Sequence, residues 1–78
     1  MNDKRLAVEV VTAIPGEARL AMRGDVDIAA DDALAAAYAE ATAAGATRVI
    51  LDFEHVDYIN STGIALIVRL LAEARRDH

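Results

Sequence analysis

The 78-residue chain has no cysteine and no tryptophan, a single proline, and only three aromatic residues, Tyr38, Phe53 and Tyr58. Without cysteine there is no disulfide staple and no thiol chemistry, and the composition suits a reducing compartment. Without aromatic bulk the core must be built from aliphatic and small side chains, and 18 positions are alanine. So short a chain holds one small domain, residues 1–78. A core of that size supplies little stability by itself, so a partner surface is expected.

Positive charge is scarce as well. Eight Lys and Arg against 13 Asp and Glu leave a net charge of −5, the wrong sign for a surface that gathers phosphate backbones or anionic lipid. No direct contact with nucleic acid is expected. The longest unbroken apolar run, Ala33 to Ala39, falls far short of the roughly 18 residues of a spanning helix, and the first residues open no signal-peptide core. The expectation is a soluble, cytoplasmic protein with no membrane insertion.

What is present reads as an α/β domain in the order β-β-α-β-α. Leu6, Val8, Val10 and Ile14 alternate, as one face of a first strand requires. Pro15-Gly16 supplies a fixed φ followed by a residue tolerant of positive φ, the needs of a type II turn, and Ala18, Leu20 and Met22 alternate with charged residues beyond it. A hairpin follows. Gly24-Asp25-Val26-Asp27 interrupts that alternation, and a helix is expected from about Ala29 to Ala44, with Leu34, Ala37, Tyr38 and Ala41 as its inward stripe and Gly45 ending it.

Thr47 to Phe53 reads as an inner strand, parallel to a hairpin strand because a helix intervenes, with Val49, Leu51 and Phe53 facing one way. The last segment, from Tyr58-Ile59-Asn60-Ser61-Thr62-Gly63, turns helical and runs to Arg76, with Asn60 or Ser61 able to cap it. On this second helix Ile64, Leu66, Ile67, Val68, Leu70 and Leu71 spread over about 200°, where a surface helix needs a stripe only a little over 100° wide. One sheet face cannot bury all of them. Leu66 and Leu70 are expected to need cover, as is the open edge of the parallel strand, and self-association through these surfaces is the expectation.

Candidates for chemistry are few. His55 and His78 are the only histidines, with His55 expected in a solvated loop and neither beside a nucleophile. The glycines form no phosphate-cradling loop, and Ser61 lacks the Gly-x-Ser-x-Gly setting of a serine hydrolase. No enzymatic role, metal or cofactor is expected. Ser61 stands out because a phosphate at a helix N-terminus is stabilised by free N–H groups and the helix dipole. The plainer reading is that Asn60, Ser61 and Thr62 are capping residues and Gly63 eases tight packing.

Three blocks carry a resemblance that shifts this balance: Gly24-Asp25-Val26-Asp27, Val49-Ile50-Leu51-Asp52-Phe53 and Tyr58-Ile59-Asn60-Ser61-Thr62-Gly63-Ile64-Ala65-Leu66-Ile67. Over residues 5–78 the chain resembles STAS domains, and within them the bacterial anti-sigma factor antagonists. The resemblance implies an opening hairpin, a helix, a parallel strand, and an Asp-Ser-Ser/Thr-Gly motif leading a second helix. It implies that Ser61 is phosphorylated by a GHKL-type serine kinase that is also the anti-sigma factor. Asp25, Asp27, Asn60, Thr62 and Gly63 then join Ser61 as partner-binding residues. Asn60 stands where the family usually has aspartate, and the chain stops where relatives continue with a further strand and helices. The alternative within the family is a structural STAS subunit that is not phosphorylated, such as those of bacterial phospholipid ABC transporters.

Overall fold

The computed structural model describes residues 4–77. Strands β1 (Ala7–Val11) and β2 (Glu17–Val26) form the hairpin, with Val8 opposite Met22 and Val10 opposite Leu20. Its turn follows from Pro15-Gly16: the Glu17 N–H donates to the Ile14 carbonyl at 3.0 Å and Gly16 adopts φ 78°, the left-handed value a type II turn demands at that position. Ile14 therefore belongs to the turn, exposed, and not to the face of the first strand. The alternation of β2 holds as expected and extends further. Ala18, Leu20 and Met22 are buried, and Gly24 and Val26 continue the same buried face, so Gly24-Asp25-Val26 is the end of the strand and no interruption.

A 3-10 turn (Ile28–Ala30) precedes α1 (Asp31–Ala43), which starts two residues later than the sequence suggests. Leu34, Ala37, Tyr38 and Ala41 are its buried residues, the anticipated stripe. Its end is a Schellman cap: Ala46 N–H donates to Ala41 C=O, Gly45 N–H to Thr42 C=O, and Gly45 sits at φ 84°. The chain then enters β3 (Arg48–Ile59), tied to the hairpin because the Thr47 and Arg48 N–H groups and the Thr47 hydroxyl all donate to the Gly16 carbonyl.

β3 pairs parallel to β2, Ala18 opposite Val49 and Leu20 opposite Leu51, and the sheet order is β1-β2-β3. Two expectations are corrected here. β3 is an edge strand among the described residues, not an inner one, and it runs through His55 to Ile59, so His55 is an exposed strand residue and not a loop residue. The reason for the extra length is bulging. The register slips between Ala21/Arg23 and again between Gly24/Asp25, and the Asp52 carboxylate accepts the Glu54 N–H at 2.9 Å. A one-residue slip reverses the facing of every later side chain. Phe53 is thereby left 41% exposed, while Val56 packs against the core in its place.

The closing helix α2 (Ser61–Asp77) lies with α1 on one face of the sheet. Leu66 and Ile67 pack with Met22, Val26 and Leu34, and Leu70 packs with Leu20 and Tyr38. This corrects the expectation that Leu66 and Leu70 need outside cover: both are core residues. The wide apolar spread is real, and its uncovered half is Ile64, Val68 and Leu71, each about half exposed. Arg69 donates to Asp31 at 2.6 Å, clasping α2 to the start of α1.

Removing a buried aliphatic side chain forfeits transfer energy and leaves a cavity. Leu66→Ala is therefore expected to lower unfolding free energy by about 2–5 kcal/mol, and Ile14→Ala in the exposed turn by less than about 0.5 kcal/mol. Urea titrations of both variants check this, and equal losses would contradict the assignment of Leu66 to the core.

Candidate functional site

The singled-out residues gather where β2 ends and α2 begins, and the Val26 backbone holds them together. Val26 pairs with Ile59, the last residue of β3, and its carbonyl accepts the Asn60 N–H at 3.3 Å. The first turn of α2 then presses onto that carbonyl. A Cβ on Gly63 would stand 1.9 Å from the Val26 oxygen and 2.6 Å from its carbonyl carbon, far inside contact distance. Gly63 is buried and is there because backbone must meet backbone.

Asn60 is the cap of α2. Its side-chain Oδ1 accepts the Gly63 N–H at 2.9 Å and its carbonyl accepts the Ile64 N–H at 2.9 Å, which settles the choice left open between Asn60 and Ser61. Ser61 is consequently the first helical residue, and it and Thr62 are exposed. The N–H groups of these two positions have no intrahelical acceptor, as in any first turn. The Ser61 hydroxyl, relieved of capping, projects from the positive end of a 17-residue helix.

The acidic pair, Asp25 and Asp27, is less accessible than a partner-binding role implies. Asp27 is only half exposed and accepts the Ala29 N–H at 3.0 Å, capping the 3-10 turn that α2 packs against. Asp25 is half-buried, and its Oδ1 is buried with no hydrogen-bond partner. Beside it Gly24, at φ 106°, lets the strand pass Lys4, whose carbonyl accepts the Asp25 N–H at 2.7 Å; a Cβ there would fall 2.7 Å from that same oxygen.

No histidine serves Ser61. His55 pairs with Arg23 on the sheet face opposite the helices, exposed, so the hydroxyl has no base beside it. Among the described residues no cluster of three His, Cys, Asp or Glu is placed to hold a metal, and no helix is long and apolar enough to cross a membrane. Exposed apolar residues lie on the same part of the chain as well as the acidic ones. Ile64 lies one turn along α2, Val68 a turn further, and Ile28 is 68% exposed on the 3-10 turn. These three residues were not singled out from the sequence, although the wide apolar arc of α2 was the signal for two of them.

A family model described as "Mlab, STAS domain" matches residues 10–78. The chain belongs to the STAS domain family. No curated protein matches it. STAS domains mediate protein–protein interactions, and the family includes anti-sigma factor antagonists and other STAS subunits.

In this STAS domain Gly63→Ala is expected to cost about 3 kcal/mol or more, since the methyl has no room and its neighbour is backbone. Asn60→Ala and Asp27→Ala each remove a cap and are expected to cost about 1 kcal/mol. Asp27→Asn keeps the acceptor and should stay within about 0.5 kcal/mol of the parent. Denaturant unfolding of the four variants checks the order; a Gly63→Ala protein as stable as the parent would contradict the backbone contact.

Proposed function

We propose that this STAS domain is an anti-sigma factor antagonist, a protein-binding module controlled by phosphate on Ser61. The observation that carries the reading is the division of labour at the start of α2: Asn60 caps the helix and leaves the Ser61 hydroxyl exposed at the positive end of the dipole. Phosphate added there is stabilised by the free first-turn N–H groups and the dipole, so modification leaves the fold intact. Unphosphorylated, Ser61 with Thr62 and the apolar Ile28, Ile64 and Val68 forms a surface on which a GHKL-type anti-sigma factor kinase docks in the cytoplasm.

Phosphoserine brings roughly −1.5 to −2 charges and three acceptor oxygens. On a surface that also carries Asp27, desolvating that charge against Ile64 opposes close packing, so the same group that the helix tolerates expels the partner. The kinase supplies the catalysis and the chain none. Asn60 leaves the cap neutral, which removes a carboxylate from beside the incoming phosphate.

A second reading, a STAS subunit that braces a larger assembly such as a phospholipid ABC transporter without being phosphorylated, is favoured by the description of the matching family model. Under it the Ser61 hydroxyl is a packing contact among the same apolar neighbours.

Incubation with the kinase and ATP followed by intact-mass measurement separates the two. The expected outcome is one phosphate on the parent, none on Ser61→Ala and one on Thr62→Ala, with loss of kinase binding on modification. Phosphate retained by Ser61→Ala, or binding unchanged by phosphorylation, would overturn the proposal.

A further inference from the structure

The first turn of α2 holds a hydrogen-bond donor that neither the fold nor the proposed docking uses. Asn60 commits both of its oxygens to the helix, Oδ1 to the Gly63 N–H and the carbonyl to the Ile64 N–H, each at 2.9 Å. A backbone N–H can only donate, so the oxygen side of the amide must face Gly63 and the NH2 group is turned away from it. Gly63 cannot shift to change this, because its backbone lies against the Val26 carbonyl. The amide NH2 has no partner among the described residues, and it is not enclosed: the one buried side-chain polar atom left unpaired among them is Asp25 Oδ1.

Ser61 follows Asn60 directly and is exposed. The N–H groups of Ser61 and Thr62, the first two residues of the helix, also lack a helical acceptor. A phosphate on Ser61 offers three acceptor oxygens to such donors. We propose that Asn60 is a positioning residue for that phosphate: its side-chain NH2 donates to a phosphate oxygen while its Oδ1 keeps the helix capped. The proposal rests on phosphorylation of Ser61 and adds what holds the modified group in place. A carboxamide does both tasks at once, whereas a carboxylate in its position would cap the helix and repel the phosphate.

A hydrogen bond to the charged form of a group favours that form, and bonds to an ionised acceptor are roughly twice as strong as neutral ones. The NH2 bond therefore favours the doubly ionised phosphate over the singly ionised one. The doubly ionised form is also the one least compatible with burial against Ile64, so the bond sharpens the effect of modification on a docked partner. Charged groups on the neighbouring elements are Asp25 on β2, Asp27 before the 3-10 turn, Asp57 on β3, and Asp31 on α1 with Arg69 of α2 paired to it. They act alike on every variant at position 60.

Phosphoserine placed at position 61 of the full chain during translation makes the measurement independent of the kinase. Phosphorus NMR then follows the second ionisation, which lies at about pH 6 for phosphoserine. The parent midpoint is expected about half a pH unit below that of Asn60→Gly, and the Asn60→Asp midpoint about half a unit above it. Glycine caps nearly as well as asparagine, so Asn60→Gly stays folded, which circular dichroism checks. The Asn60 side-chain NH2 signals in a nitrogen–proton correlation spectrum are expected to move with the same midpoint as the phosphorus signal. An Asn60→Gly phosphoprotein that ionises with the parent, or amide signals that ignore the phosphate, would overturn the proposal. Failure of the kinase to modify Ser61 is read separately, by intact mass, and overturns instead the phosphorylation on which the proposal rests.

Discussion

The meeting of the Gly63 backbone with the Val26 carbonyl is the constraint on which the rest of the site depends. Because no side chain separates them, the first turn of α2 cannot slide or tilt without driving atoms into the end of β2. That immobility lets Asn60 reach the Gly63 N–H, and Asn60 in turn frees the Ser61 hydroxyl. The carbonyl is itself part of the sheet, so the geometry of the hydroxyl is set by the central strand and not by a loop. The same strand end is pinned from the other side, where Gly24 admits Lys4. Two glycines at Gly24 and Gly63 thus hold one stretch of backbone between two close approaches.

A core whose one buried aromatic ring is Tyr38, and which is otherwise aliphatic and rich in alanine, limits what the sheet can cover. α1 is close-packed through Ala37 and Ala41, which brings it near β2 but gives it little girth. α2 then has to seat Leu66, Ile67 and Leu70 in the space beside it, and only those three fit. Ile64, Val68 and Leu71 remain outside because the helix has turned them away from α1. The apolar surface left over is divided, with Ile64 and Val68 towards the Ser61 end and Leu71 over the edge of β3.

The parts of this arrangement legible in the sequence are those set by local period and turn chemistry. The alternation Ala18, Leu20, Met22, the stripe Leu34, Ala37, Tyr38, Ala41, and the turns at Pro15-Gly16 and Gly45 need no knowledge of neighbours, and each was placed correctly. The family resemblance likewise found the start of α2. What could not be read depends on partners distant in sequence. The phase of the α2 stripe is decided by α1, so the sequence alone does not tell that Ile64, Val68 and Leu71, and not Leu66 and Leu70, are the uncovered residues. The reach of β3 to Ile59 depends on bulges that a sequence period cannot show, since a bulge breaks the period. Asn60 and Ser61 have equal capping chemistry, and only the bond to Gly63 separates them. The capping role of Asp27 is not legible either, because the N–H it accepts belongs to a 3-10 turn without a strong pattern.

The distribution of charge has a consequence at distances beyond contact. Asp25, Asp27, Asp31, Asp32 and Asp57 lie towards the end of the molecule that bears Ser61, whereas the far end sets Arg48, Arg75 and Arg76 against Glu17, Glu40 and Glu73. Lys4, Arg5 and Arg69 offset three of those five carboxylates, so the Ser61 end keeps an excess of two negative charges while the far group balances. A charged body arriving from solution meets a field with direction before it meets a surface, over the roughly 8–10 Å that physiological salt leaves unscreened. A cationic partner would be turned towards the Ser61 pole during an encounter, and the proposed phosphate would deepen the same pole. In the proposed complex the rate of approach and the tightness of the final fit would thereby be set by different atoms, the first by carboxylates spread over one end and the second by the apolar groups near a single hydroxyl.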